Sequence, residues 1–150
     1  MIKRPILIYI LILLWLAICF IFFSWGTWSL QIYLYIPDWQ AIQAVAPILN
    51  FGFLISTIVW FVFSFLFIVF AYATFRGDIW AWTSGIIIST IFLVIFGFML
   101  AAFIINAILF LDLFSVLGLI TVVISFMTDI GIVFLLTRPN TKLYFNVQEE

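Results

Sequence analysis

The residues whose types and spacing could support chemistry lie in one otherwise apolar stretch near the end of the chain. Thr121, Ser125 and Asp129 follow one another four residues apart, and Gly118 precedes them by three. Side chains three and four residues apart share one face of a helix, so these residues predict a polar seam that ends in a carboxyl group. Oxygen atoms in such a row could carry a proton or hold a cation if water reaches them.

Asp129 is predicted to lie deep in the membrane, and two hypotheses account for a carboxyl group there. It lies nine residues before Arg138, which is about 13 Å along a helix, so it is expected inside the hydrocarbon region. In one hypothesis it faces a wet cavity as a proton or cation carrier, with Ser125 and Thr121 as further ligands. In the other, burial keeps it protonated or it is hydrogen-bonded to a neighbouring helix, and it fixes the register of packing. The second is favoured because a transporter usually has several polar sites, broken helices or internal repeats.

Composition identifies the environment that must surround this seam. The 150-residue chain is 69% hydrophobic and 7% charged, contains 20 Phe, and has a mean hydropathy of +1.44. A soluble domain would need far more charge to cover its core. The apolar runs are also much longer than the roughly 10 residues of a barrel strand, and backbone groups in lipid must pair within their own segment. The sequence therefore predicts an integral membrane protein made of helices.

Four apolar runs are long enough to cross a bilayer, which takes about 20 helical residues. The predicted spans are residues 5–25, 51–75, 80–107 and 113–137. The simplest arrangement is an all-α four-helix transmembrane bundle in a single domain, followed by a cytoplasmic interfacial tail at residues 138–150. The first run resembles a secretory signal, but its apolar stretch exceeds the usual length of roughly 7 to 15 residues, so we expect a retained helix.

The basic residues predict how the bundle is oriented. Five Lys and Arg residues fall on one side of the predicted spans: Lys3, Arg4, Arg76, Arg138 and Lys142. The other side carries Asp38 and Asp112 but no basic residue. Because cytoplasmic loops are enriched in Lys and Arg, both termini are predicted to be cytoplasmic, in a multi-pass protein of the cell membrane.

The first external loop, residues 24–47, is rich in Trp and Tyr, a composition typical of the membrane interface. Pro37 and Asp38 predict a helix start there, and Trp39, Ile42 and Val45 follow at a spacing of three. A short interfacial helix is expected. The alternative is that this loop caps a pocket or docks a partner.

Other features argue against metal, cofactor, catalytic and nucleic-acid functions. The chain has no His, and its one cysteine, Cys19, lies within the first span, so neither an intramolecular disulfide nor a typical metal or haem site is expected. No glycine-rich phosphate loop, nucleophile elbow or pair of carboxylates is present. The basic residues are too few and too dispersed to suggest nucleic acid. The sequence predicts a protein that is not an enzyme.

Aromatic and basic residues on the cytoplasmic side predict anchoring at the headgroups. Trp80 and Trp82 follow a tight turn, while the last span ends in an Arg-Pro pair and a short polar segment. The predicted anchors are Trp80, Trp82, Arg138, Lys142, Tyr144 and Phe145. Pro139 is expected to stop the last helix. A docking motif for a cytoplasmic partner is the rival interpretation.

The stretches "DIWAWTSGII" and "LLTRPNTKLYF", with "KRP" near the N-terminus, resemble a group of small four-span prokaryotic membrane proteins that are common in archaea. The resemblance rests on Trp-Ala-Trp after the second span and Arg-Pro-x-x-Lys-x-Tyr-Phe after the fourth. It implies the same fold and topology as the composition does, and it implies no activity.

Two functions remain as expectations. The first is a non-enzymatic membrane protein, an accessory subunit of a larger complex or a homo-oligomer, whose partners are lipid and other transmembrane helices. The second is a proton-linked or ion-conducting unit centred on Asp129.

Overall fold

A computed structural model describes residues 5–35, 46–110 and 113–146, without the side chains of residues 46–50, 106, 107, 110 and 113–115. Within these ranges the protein is helical and contains no strand. The helices are α1 Ile6–Tyr35, α2 Ala46–Arg76, α3 Ile79–Phe110, α4 Leu113–Leu136 and the short α5 Pro139–Tyr144. The first four are long and apolar enough to cross a membrane. The predicted all-α four-helix bundle is confirmed.

The last three membrane-length segments lie close to the predicted spans, whereas the first is longer. The segments Phe51–Arg76, Ile79–Ile105 and Val116–Leu136 differ from the prediction by three residues or fewer at each end. By contrast, α1 continues past residue 25 to Tyr35. No proline interrupts the chain between Pro5 and Pro37, so nothing forces the helix to end at the aromatic segment. Thirty residues extend about 45 Å, the full thickness of a bilayer including its headgroups. The predicted interfacial helix falls on residues 36–45, outside the described ranges.

Helices α1 and α2 form an antiparallel pair held by small and weakly polar contacts. The Ser64 hydroxyl donates to the Cys19 carbonyl at 3.1 Å, and Ser29 and Ser56 pair through their hydroxyls at 3.4 Å. Between these levels, a Cβ added to Gly26 would lie 3.0 Å from the ring of Phe61. A small residue is therefore needed there for the two helices to approach closely.

Helices α3 and α4 form the second antiparallel pair, in which ring carbons face glycines. The ring of Phe103 on α3 lies so close to Gly118 on α4 that an added Cβ would overlap it. One level further along, Phe126 on α4 lies 3.8 Å from the Cβ position of Gly97 on α3. A third contact joins the pairs, because Leu14 on α1 lies 3.3 Å from the Cβ position of Gly131 on α4.

The interior between the two pairs is filled by aromatic rings, which we call the aromatic core: Trp15, Phe22, Phe67, Phe70, Phe92 and Phe96. All six side chains are at most 5% exposed. Phe22 is at the centre of this group, with ring centroids of Phe67, Phe92 and Phe96 at 5.3, 5.1 and 6.0 Å. Trp15 stacks on Phe67 and Phe70 at 5.6 and 5.1 Å. These rings give the bundle a packed interior along most of α1.

The α2–α3 turn and α5 close one end of the bundle together. Gly77 adopts a left-handed φ of 79°, and the backbone N–H groups of Gly77 and Asp78 return to carbonyls of α2, which caps the helix. The ring of Tyr144 lies 3.3 Å from the Cβ position of Gly77, and its hydroxyl donates to the Phe75 carbonyl at 2.9 Å. Pro139 follows the end of α4, as expected, but it also begins α5, whose first turn tolerates a missing N–H.

Candidate functional site

Asp129 lies on the inner face of α4, seven residues before that helix ends. Its side chain is 0% exposed. Neither carboxyl oxygen makes a hydrogen bond to any described residue. The structure therefore places a carboxyl group inside a membrane-length segment, closed off from bulk solvent and without a hydrogen-bond partner among the described residues, which is unusual for a buried polar group.

The other members of the predicted seam bond to their own helix. The Thr121 hydroxyl donates to the Leu117 carbonyl at 2.9 Å, and the Ser125 hydroxyl donates to the Thr121 carbonyl at 2.8 Å. Such bonds to the preceding turn satisfy a hydroxyl donor locally. Thr121 and Ser125 are on the same side of α4 as Asp129, but their hydroxyl protons are not directed to its carboxyl group. Their role as ion ligands stays a prediction.

The group that faces Asp129 from another helix is the hydroxyl of Ser89 on α3. Ser89 is 0% exposed, and its hydroxyl has no hydrogen-bond partner among the described residues. The Asp129 carboxyl and the Ser89 hydroxyl are thus neighbours that do not complete a bond with each other. Their position is set by the α3–α4 register described above.

Trp15 contributes a third unsatisfied polar atom from α1. Its indole is 0% exposed and its Nε1 has no hydrogen-bond partner among the described residues. Indole Cζ2 lies 3.2 Å from the Cβ position of Gly85, one helical turn from Ser89 on α3. The preceding residue, Leu14, contacts Gly131, two residues beyond Asp129 on α4. Three helices therefore bring Trp15, Ser89 and Asp129 to one level of the bundle, which we call the buried polar layer.

Of these three residues, the sequence predicted only Asp129 as part of a site. Ser89 lies four residues after Gly85, a spacing typical of helix packing. Trp15 has a recognisable signal in the sequence, because it lies well inside an apolar run whereas tryptophan is enriched at the ends of spans. A buried indole N–H needs a partner, so this position indicates a polar contact in the interior.

The predicted interfacial anchors divide into exposed and buried side chains. Trp80 is 44% exposed, and Arg138 is exposed with its guanidinium 4.0 Å from the Phe134 ring centroid. Phe145, in contrast, is 1% exposed and belongs to the protein core. Lys142 and Tyr144 are intermediate. The tail thus packs against the bundle through Phe145, whereas Arg138 is exposed; its role as an interfacial anchor stays a prediction.

Trp82 joins the beginning of α3 to the end of α4. Its indole N–H donates to the Leu136 carbonyl at 2.8 Å. The last carbonyls of a helix lack partners within that helix, so this bond satisfies one of them. An ion pair in the nearby α2–α3 turn is weaker: Arg76 Nε lies 3.8 Å from an Asp78 carboxyl oxygen, with the Arg76 side chain exposed and that of Asp78 partly exposed, so it contributes little.

These features define the class of protein to which the chain belongs: a multi-pass membrane protein with a four-helix bundle and a polar layer buried inside it. Searches of protein-family models, curated proteins and solved structures found no match to this chain. Within the described residues, no three His, Cys, Asp or Glu side chains come together in a group that could hold a metal ion. The resemblance drawn from its sequence motifs stays a prediction.

Replacing Trp82 tests the cross-link between α3 and α4. Trp82→Phe removes the donor to the Leu136 carbonyl and should lower the free energy of unfolding by about 1 kcal/mol. Trp80→Phe is the matched control, since Trp80 is more exposed, and its effect should stay within about 0.5 kcal/mol. Reversible unfolding of the full chain in mixed micelles measures both. Equal effects from the two substitutions would contradict the assigned role of the hydrogen bond.

Proposed function

We propose that this chain is a non-enzymatic membrane protein that acts as an accessory or structural subunit, either in a larger membrane complex or as a homo-oligomer. The observation that carries the proposal is its filled interior. The aromatic core occupies the space between the helix pairs, and Asp129 is sealed at 0% exposure. The packed interior supports a role in which the bundle offers its outer surface to other apolar partners.

The outer surface supports the same proposal. Large apolar side chains cover the lipid-facing sides of all four long helices, as exposures of 64% for Leu13, 68% for Phe65 and 76% for Phe98 illustrate. Such a surface requires acyl chains or the helices of another subunit around it. Neither a nucleophile with a base nor an acid pair with substrate access occurs among the described residues of the buried polar layer, which is why an enzymatic role is not proposed.

Isolation of the full chain from native membranes tests this assignment. Extraction directly into lipid nanodiscs, followed by native mass spectrometry, should give either a defined complex with other subunits or a multiple of the 17.4 kDa chain. Repeating the measurement at several dilutions separates a specific assembly from accidental co-capture, because a specific assembly keeps its stoichiometry. A homogeneous monomer under all conditions would refute the subunit proposal.

The topology proposal is that both termini face the cytoplasm in the cell membrane. It is supported by the five basic residues on one side of the spans and by the positive-inside rule. In a Cys19→Ser background, Asn140→Cys should react with an impermeant maleimide in inside-out vesicles but not in intact cells. Gln31→Cys, at the opposite end and also exposed, is the reciprocal control. Labelling of position 140 from outside would reverse the orientation.

The second candidate is a proton-linked or ion-conducting unit centred on Asp129. It is retained because an unpaired acid inside a membrane span is a costly feature that is often functional. The subunit proposal expects proteoliposomes of the wild-type chain to leak protons and monovalent cations no faster than protein-free liposomes. Flux that appears with the wild type, persists in Asp78→Asn and disappears in Asp129→Asn would instead establish conduction. Asp78 is a suitable control because it is partly exposed and outside the spans.

A further inference from the structure

Four polar atoms of the buried polar layer have no hydrogen-bond partner in the part of the chain that the structure describes: Trp15 Nε1, Ser89 Oγ and the two carboxyl oxygens of Asp129. They come from three different helices and belong to side chains that are each 0% exposed. A single unsatisfied atom can reflect a local compromise in packing. Several at one level of an interior otherwise filled by aromatic rings indicate a shared partner that protein atoms do not supply.

The chemistry of these atoms specifies the partner. An indole N–H only donates, a hydroxyl both donates and accepts, and a carboxyl group accepts through two oxygens. A small neutral molecule that accepts one hydrogen bond and donates others complements this set. Water has that capacity, and buried waters in proteins typically make about three such bonds.

Trp15 packs against α3 one helical turn from Ser89. Indole Cζ2 and Cη2 lie 3.2 and 3.7 Å from the Cβ position of Gly85, four residues before Ser89. Nε1 is two bonds from Cζ2, so this donor lies within about one helical turn of that part of α3. The hydroxyls of Thr121 and Ser125 already donate to carbonyls of α4, so they do not compete for this role.

A metal cation fits the same position poorly. Hard cations take six or more oxygen ligands, whereas the layer supplies one carboxyl group and one hydroxyl, together with an N–H donor whose positive end would repel a cation. We propose that Trp15, Ser89 and Asp129 form an internal binding site for a water molecule between α1, α3 and α4. This site is independent of whether the protein is a subunit or a conductor, because it requires neither a partner chain nor a path to bulk water.

Proton NMR of the full chain in nanodiscs, with ¹⁵N-labelled tryptophan, tests the site directly. Trp15→Phe assigns the Trp15 indole resonance among those of the seven tryptophans. In the wild type, the Trp15 indole proton should show both an NOE and an ROE cross-peak with water. The relative signs of these two cross-peaks should be those of a bound water molecule and not those of proton exchange. Absence of this cross-peak in the wild type overturns the proposal, whatever the variants do.

Substitutions at Asp129 distinguish a water held by the layer from one held elsewhere. Asp129→Asn keeps one acceptor oxygen and should retain the cross-peak, whereas Asp129→Leu removes both carboxyl oxygens and should abolish it. A cross-peak that persists in Asp129→Leu would overturn the proposal. If the Leu variant does not fold, Ser89→Ala supplies the same comparison, with a cross-peak weakened by the loss of one ligand.

The effect of Ser89→Ala on stability is a second test, because a dry layer and a hydrated layer predict different directions for the change. In a dry layer, Ser89→Ala removes an unsatisfied hydroxyl and should leave stability unchanged or raised. In a hydrated layer the water loses a partner, and the ratio of folded to unfolded protein should fall about tenfold, equivalent to about 1.4 kcal/mol. Thr90→Val is the matched control: its hydroxyl is exposed and bonded to the Ile86 carbonyl, so the ratio should change less than about twofold. An unchanged or increased ratio in Ser89→Ala contradicts the proposal.

Discussion

Every part of this structure depends on the absence of water from the hydrocarbon region. Each backbone N–H and carbonyl there must find its partner inside the protein, and a helix is the arrangement that achieves this within one continuous segment. The four long helices follow from that constraint, and so does the use of side-chain hydroxyls. Thr57, Thr90, Thr121, Ser125 and Thr128 all donate to the carbonyl four residues earlier on the same helix. Even the polar side chains in the spans are largely satisfied locally.

Once the helices exist, the hydrophobic effect does little to join them, because lipid tails solvate a phenylalanine as well as a protein core does. Association of the helices must instead come from the close fit of their surfaces. Glycines admit rings from the facing helix, as Gly26 does for Phe61 and Gly118 for Phe103. The aromatic core then adds dispersion and edge-to-face contacts that lipid cannot reproduce with the same density. Both mechanisms operate within and between the antiparallel pairs: Gly26 lies within a pair and Gly131 between the two, and Phe22 contacts Phe67 within its pair and Phe92 in the other.

The buried polar layer departs from this local satisfaction, and the α3–α4 register explains its position. That register places Ser89 opposite Asp129 while Trp82 reaches the Leu136 carbonyl. Trp15 approaches from α1 because Gly85 leaves room for its indole. Polar groups that find their partners across helices favour one packing register over the alternatives, since a shift of one helix by one turn would separate these groups. In this respect the layer serves the proposed subunit role, where a single well-defined shape matters for assembly.

Composition and run length by themselves determined the class of protein, its four spans and its helical fold. These properties follow from the sum of many side chains in one solvent, so no single contact decides them. Spacing along α4 also identified Asp129 as an inward-facing acid. The sequence could not decide where α1 ends, since an amphipathic aromatic segment suits both an interfacial loop and a longer helix. Nor could it decide which groups surround Asp129: Thr121 and Ser125 are near in sequence, but Ser89 and Trp15 are near in space. That choice depends on the relative rotation and register of separate helices, which arise from interhelical packing and are visible only in the tertiary structure.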